Sequence, residues 1–333
     1  MAEKSSTSGE DDLIARYFKP LATHPGAFGL IDDAAAVAPP PGCDLVLKTD
    51  AIIGGVHFFA DDPPRTIAQK ALRVNLSDLA AKGAAPFGCL LSIGLPSGIP
   101  ESWLEDFAAG LGHDVEHFKC PLFGGDTVRS PDAVMVSVTV IGAVPHGKMV
   151  KRAGAKPGDR VVVTGTIGDA AMGLLLRKDA ERARQWGLDK KSVDELIQRY
   201  LVPQPRSALA EVLREFATAG MDVSDGMAGD LGKLCRASDV SADIDVGKIP
   251  LSAPAQAALK ADAAIIGTIL TNGDDYEVLA TIPASRADDF IGAARQLGIP
   301  VADIGMVTAG ASEPLFLQDG RALKFARRSY SHF

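Results

Sequence analysis

Residues 151–165 read KRAGAKPGDRVVVTG, and this stretch decides the fold. Its first nine residues are polar and rich in glycine and proline, which interrupt regular structure. The rest, RVVVTG, is a β-branched run bounded by glycine, the pattern of a buried strand. Upstream, residues 133–144, AVMVSVTVIGAV, form another β-branched run. A polar break between two strand signals sets a boundary near residue 150 and divides the 333 residues into domains at 1–150 and 151–333. The length agrees, because a single hydrophobic core usually stops growing before this size.

Outward from the break, strands and helices alternate. In the first half, residues 1–10 are a loose polar tail, and DLIARYFKPLA carries an amphipathic helix. LVLKTD reads as a strand running into an aspartate. Residues 66–82 space Ile67, Ala71, Leu72, Leu76 and Leu79 on one helical face, with Gly83 as the stop. CLLSIGLP and the 133–144 run are strands around a helix at residues 101–117. In the second half, helices are expected at 179–200, 208–217 and 228–238, and strands at MDVSD, ADIDV, EVLATIP and VADIGMV. The class is α/β or α+β in two comparable halves.

Apolar residues make up 47% and charged residues 23%, which supplies ample core. The net charge of −8 argues against non-specific attraction to nucleic acid or anionic membrane. The polar start lacks a secretory apolar region, and no apolar run reaches membrane-spanning length, so a cytoplasmic protein is expected. Four widely spaced cysteines, with no CxxC, are expected to be reduced. A phosphate ligand on so acidic a chain needs divalent cations between carboxylates and phosphate oxygens.

Three motifs look like sites and do not hold. GAVPHGK at 142–148 resembles part of a phosphate loop, but Met149 stands where Ser or Thr must hold magnesium, and Gly154 and Pro157 preclude a following helix. HDVEH at 113–117 has the spacing of an inverted zinc motif, which is equally the pattern of a solvated helix face. GTIGDAAMG at 165–173 is a glycine-spaced turn without the acidic partner of a dinucleotide site.

Six acidic clusters remain: LIDDAA (30–35), LKTDAIIGGVHF (47–58), VNLSDLAAKGA (74–84), FGGDTV (123–128), MDVSDGMAGDLG (221–232) and TNGDDYE (271–277). Any one of them is ordinary turn chemistry. Together they suit magnesium, which prefers oxygen ligands and bridges carboxylates to phosphates, while adjacent glycines let backbone approach the phosphate.

The order of these clusters, with DLIARYF before them and GAVPHGK, KRAGAKPGD, TGTIGDAAMGL and SYSHF among and after them, resembles thiamine-monophosphate kinase over nearly the whole chain. That resemblance implies a two-domain aminoimidazole ribonucleotide synthetase-like fold. A β-barrel-like N-terminal domain would form a homodimer, a C-terminal α/β domain would complete the site, and ATP would bind between them. It implies magnesium ligands at Asp33, Thr49, Asp50, Asp78, Asp126, Asp222 and Asp225. It implies ATP contacts from Gly125, Asp126, Arg152 and Ser224, and thiamine monophosphate contacts from His57, Asp274 and Tyr330. On the residues alone, His57 reads equally as an interior histidine and Tyr330 as an ordinary aromatic. Asp230 reads as a helix cap and stays outside the metal set.

The chain departs from the family pattern at Ile31, Lys48, Lys82 and Asn272. Lys82, four residues after Asp78, would either pair with it or point outward. The implied reaction needs no general base, because a phosphate with a second pKa near ~6 is already mostly dianionic. Related ligases, the hydrogenase maturation factor and a non-catalytic nucleotide sensor are the rival readings.

Overall fold

The computed structural model describes residues 9–331. The tail up to residue 8 and the final His332 and Phe333 of SYSHF lie outside the described residues. Two compact units form, and no single cut divides them. Residues up to Leu76 with Ala85–His146 make the first; Ser77–Ala84 with residues from Gly147 onward make the second.

The first unit runs α1 (Gly9–Leu13), β1 (Cys43–Ile53), α2 (Pro64–Ala81, whose end belongs to the second unit), β2 (Ala85–Leu95), α3 (Glu101–His117), β3 (Leu122–Arg129) and β4 (Met135–Pro145). Its sheet has the order β1-β4-β2-β3, with β2 and β3 parallel and the other pairs antiparallel. In β4, Val136, Val138, Val140 and Val144 are buried while most residues between them are half-exposed, the period of two expected of a sheet packed on one face. The apolar stripe of α2 is buried as its spacing requires. Beyond the helix, Gly83 takes φ +69, and the amides of Gly83 and Ala84 return to the carbonyls of Ala80 and Leu79. FGGDT, read as an acidic loop cluster, lies inside strand β3. Glycine makes the strand passable there, because a Cβ on Gly125 would sit 1.7 Å from the Leu91 carbonyl oxygen.

The second unit contains β5 (Arg160–Thr164), α4 (Asp169–Lys178), α5 (Glu181–Gln185), α6 (Lys190–Leu201), α7 (Ala210–Phe216), β6 (Ala219–Asp222), α8 (Met227–Ser238) and β7 (Val240–Asp245). There follow α9 (Ala253–Ala261), α10 (Ile265–Thr271), β8 (Val278–Ile282), α11 (Ala287–Gln296), β9 (Val301–Ala309), β10 (Leu315–Gln318) and β11 (Arg321–Ala322). The sheet order is β11-β10-β7-β9-β5-β8-β6. β5 is buried on both faces: Val161 and Val163 join a core with Met172 of α4 and Leu231 of α8, and Val162 joins another with Leu213 of α7 and Phe290 of α11. The charged stretch 179–200 is two helices rather than one. Gly187 at φ +65 breaks it, and the Asp189 carboxylate then accepts the Ser192 amide at 2.8 Å to start α6. Of MDVSD, only Met221 and Asp222 are strand; Val223–Gly226 lie in the turn into α8. No helix among the described residues is long and apolar enough to cross a membrane.

Candidate active site

In the first unit, a cavity of about 280 Å³ is lined by Asp32, Asp33, Gly125 and Asp126, and on its apolar side by Phe18 and Leu122 among others. Thus Asp33, Gly125 and Asp126, distant in sequence, share one cavity, and both carboxylates are exposed.

Asp50 is elsewhere. In the sheet, the row Asp50–Val138–Leu91–Gly125 lies next to the row Ala51–Ser137–Ser92–Asp126. Asp50 therefore stands on edge strand β1 and Asp126 on the opposite edge strand β3, three strand spacings or about 14 Å apart. A single chain does not bring them to one cation. Lys48, two residues before Asp50 and so on its face, pairs with that carboxylate at 3.1 Å. Thr49 faces the other way: its hydroxyl donates to the Val138 carbonyl at 3.3 Å and meets the Thr139 hydroxyl at 3.0 Å. His57 sits in the turn after β1, where its Nδ1 accepts the Ile53 amide at 3.1 Å, which leaves the neutral ring's proton on Nε2.

In the second unit, Asp222 ends β6, is buried, and accepts Ser77 Oγ at 2.7 Å; Asp78 is the next residue on α2. Lys82, one turn further, donates to the Gly220 carbonyl at 2.7 Å. The loop after β6 is a junction. Ser224 accepts the Asp274 amide through its carbonyl at 2.9 Å, Asp225 accepts the Tyr330 amide at 2.9 Å, and Val223 accepts the Tyr276 amide at 2.8 Å. Four residues expected in the site, Ser224, Asp225, Asp274 and Tyr330, are thereby tied together through backbone. Asp274 sits at φ +72, a left-handed conformation uncommon outside glycine. Lys233 bridges the carboxylates of Asp225 and Asp230. Burial works against its charge, but the bonds to the two aspartates outweigh it and the ammonium pKa is raised. Arg152, in the same unit, is exposed.

The rejected motifs have physical fates. GAVPHGK is the end of β4 and a turn at Gly147. The amide-rich start of α4 in GTIGDAAMG is filled by the chain's own Asp275, whose carboxylate accepts Gly168 N at 2.8 Å. Burial pushes that carboxyl well above the usual range. In HDVEH, His113 Nδ1 lies 2.9 Å from Asp114, a buried carboxylate gripped by Arg73 at 2.6 and 2.9 Å. Sequence reasoning missed Glu277, fully buried and held by Arg199 at 2.7 Å, Arg206 at 2.5 Å and Thr164 at 2.6 Å. Nothing in local sequence pairs residues so far apart.

Among the described residues, no three His, Cys, Asp or Glu side chains form a ready cage for a metal. Magnesium does not require one, since it keeps waters and takes one or two carboxylates with phosphate oxygens. The oxygen-only donors fit it, and Lys48 and Lys233 already place positive charge on Asp50 and Asp225.

Residues 31–144 match the family described as AIR synthase related protein, N-terminal domain, and residues 156–318 its C-terminal domain. The chain is 39% identical over 327 residues to a thiamine-monophosphate kinase of Caulobacter vibrioides, covering 97% of this chain and 90% of that protein. The thiamine-monophosphate kinase structure from Stenotrophomonas maltophilia K279a superposes with a TM-score of 0.81 at 34% identity, covering 96% of this chain and 98% of that one. A structure described as AaThiL complexed with AMPPCP and TMP superposes with a TM-score of 0.75 at 31% identity, covering 92% and 97%. The chain belongs to the thiamine-monophosphate kinase family of AIR synthase related proteins.

Proposed function

We propose that the chain transfers the γ-phosphoryl group of ATP to thiamine monophosphate, giving thiamine diphosphate and ADP. The observation that carries this reading is the near full-length likeness to thiamine-monophosphate kinases, one relative being described in complex with AMPPCP, an ATP analogue, and TMP. The nucleophile is a phosphate oxygen of the acceptor, already dianionic at neutral pH, so the protein needs no base and its work is alignment and charge neutralisation.

In this reading Asp33, Thr49, Asp50, Asp78, Asp126, Asp222 and Asp225 would hold several magnesium ions. When bound, the metal would supply Lewis acidity and neutralise phosphate charge. Gly125, Asp126, Arg152 and Ser224 contact ATP, the Arg152 guanidinium matching phosphate geometry. His57, Asp274 and Tyr330 hold thiamine monophosphate.

A homodimer belongs to the proposal. Leu45, Leu47, Ile53 and Leu90 leave apolar side chains exposed on the first unit's sheet, Leu47 by 67%. Apolar area of this kind on one sheet face favours a covering partner. Two copies also resolve the separation of Asp50 and Asp126, each site drawing one from each copy. The cytoplasm is the proposed location.

Phosphorus NMR of the protein with ATP, magnesium and thiamine monophosphate tests the reading. Thiamine diphosphate should appear with one equivalent of ADP. ADP with inorganic phosphate, or no turnover, would reject it.

A further inference from the structure

We propose that Asp230 is a positioning residue, which holds the acidic loop between β6 and α8 in the geometry that presents Ser224, Asp225, Asp274 and Tyr330. The proposal deepens the kinase reading and rests on it for what the loop is for.

Asp230 is the fourth residue of α8 and has no exposed surface. One of its carboxylate oxygens accepts three consecutive amides, those of Ser224 at 3.0 Å, Asp225 at 2.9 Å and Gly226 at 3.1 Å. Its other oxygen accepts Lys233 at 2.8 Å. An ordinary cap is a residue before the helix whose side chain serves the helix's own first amides. Here the N-cap is Gly226, which has no side chain, and the carboxylate reaches backward out of the helix. The amides of Ser224 and Asp225 precede the helix start, so the bonds serve the loop.

What that loop carries follows from its carbonyls. Ser224 and Asp225 receive the amides of Asp274 and Tyr330, so a shift of the loop is passed to both. The fit is close: a Cβ on Gly273 would lie 1.9 Å from the Ser224 oxygen, and Gly226 takes φ +124. Lys233, one turn beyond Asp230, ties the Asp225 carboxylate to the same anchor. Burial raises the Asp230 carboxyl pKa, and the Lys233 ammonium and the Asp225 amide, which favour the carboxylate, reduce that rise only in part.

Asp114 provides the control, being equally buried but held by the side chains of Arg73 and Gln69 on α2. The experiment compares Asp230→Ala, Asp230→Asn and Asp114→Asn with the native chain. It reads Mn²⁺ binding by electron paramagnetic resonance, kcat and KM for thiamine monophosphate, and melting temperature. Asp230→Ala should weaken Mn²⁺ binding and lower turnover by about 10- to 100-fold, the usual loss when a partner behind a metal ligand is removed. Asp230→Asn keeps one acceptor oxygen for the three amides and should recover part of both. Asp114→Asn should lower the melting temperature and leave Mn²⁺ affinity alone. Folded Asp230 variants with native Mn²⁺ affinity and native KM would overturn the proposal, as would an Asn variant no better than Ala. If the Ala variant does not fold, Asn against native decides. Absence of thiamine diphosphate from the native chain would instead defeat the kinase reading, and the Mn²⁺ measurement would then judge the positioning role alone.

Discussion

The two units present their acidic residues in opposite ways. In the first, Asp33 and Asp126 are exposed around a cavity, while Asp50 stands at the far edge of the sheet. In the second, Asp222 and Asp230 are buried, and one loop holds Ser224, Asp225, Asp274 and Tyr330 through main-chain bonds. Exposed carboxylates contribute little to stability and stay available to cations. Buried ones are part of the fold, and changing them disturbs structure and function together. In the proposed dimer the first unit is thus completed by a ligand and another copy, and the second is built in advance.

The sharpest test of the incomplete half is complementation. Asp50→Asn and Asp126→Asn should each lower turnover by about 100-fold or more, because each removes a charge from the proposed magnesium-holding set that neutralises the reacting phosphates, with melting temperature nearly unchanged. Co-expressed, the two inactive chains should regain about a quarter of native turnover, since random pairing makes half the dimers mixed and restores one site in each. No regain would mean that both carboxylates serve one site of one protomer, or that the dimer is absent.

For the half built in advance, Glu277→Gln leaves Arg199 and Arg206 mostly buried without their counter-charge. It should cost roughly 3–5 kcal/mol of stability, measured by denaturant unfolding. A loss as small as that of a surface pair would show that the cluster is dispensable and weaken the contrast.

The smallest effect concerns pH. The folded-state pKa of Asp275 is raised, mainly by burial, above its unfolded value. Its contribution to stability is therefore complete below about pH 4, the ordinary carboxylate range, and is lost as pH rises through the folded value. Asp275→Asn removes that titration, so the variant should gain melting temperature relative to the native chain as pH rises. A difference that does not change with pH would sink the assignment.

Much of this was legible in the residues, for identifiable reasons. The stripe of α2 and the span of α3 follow from helical periodicity, and Gly83 ends α2 because it alone takes φ +69 without cost. The strand at FGGDT was not legible, because two glycines and an aspartate carry turn signals and only pairing with β2 makes them a strand. The Lys48–Asp50 pair was not foreseen, although residues two apart on a strand share a face. The Glu277 cluster is tertiary: its partners Thr164, Arg199 and Arg206 meet it only after the chain has folded. The three amides on Asp230 are local, but residue type and spacing do not say whether a carboxylate near a helix start serves the helix or the loop before it, so Asp230 reads from sequence as a helix cap.

The convergence of Ser224, Asp225 and Gly226 amides on a single oxygen also bears on the thermodynamics of the ligand capture proposed for this loop. A loop of such residues left to fluctuate would surrender about 1–2 kcal/mol of backbone entropy per residue when cations and phosphates arrive. Here that ordering is complete when the chain folds, so affinity at this loop is not diminished by it.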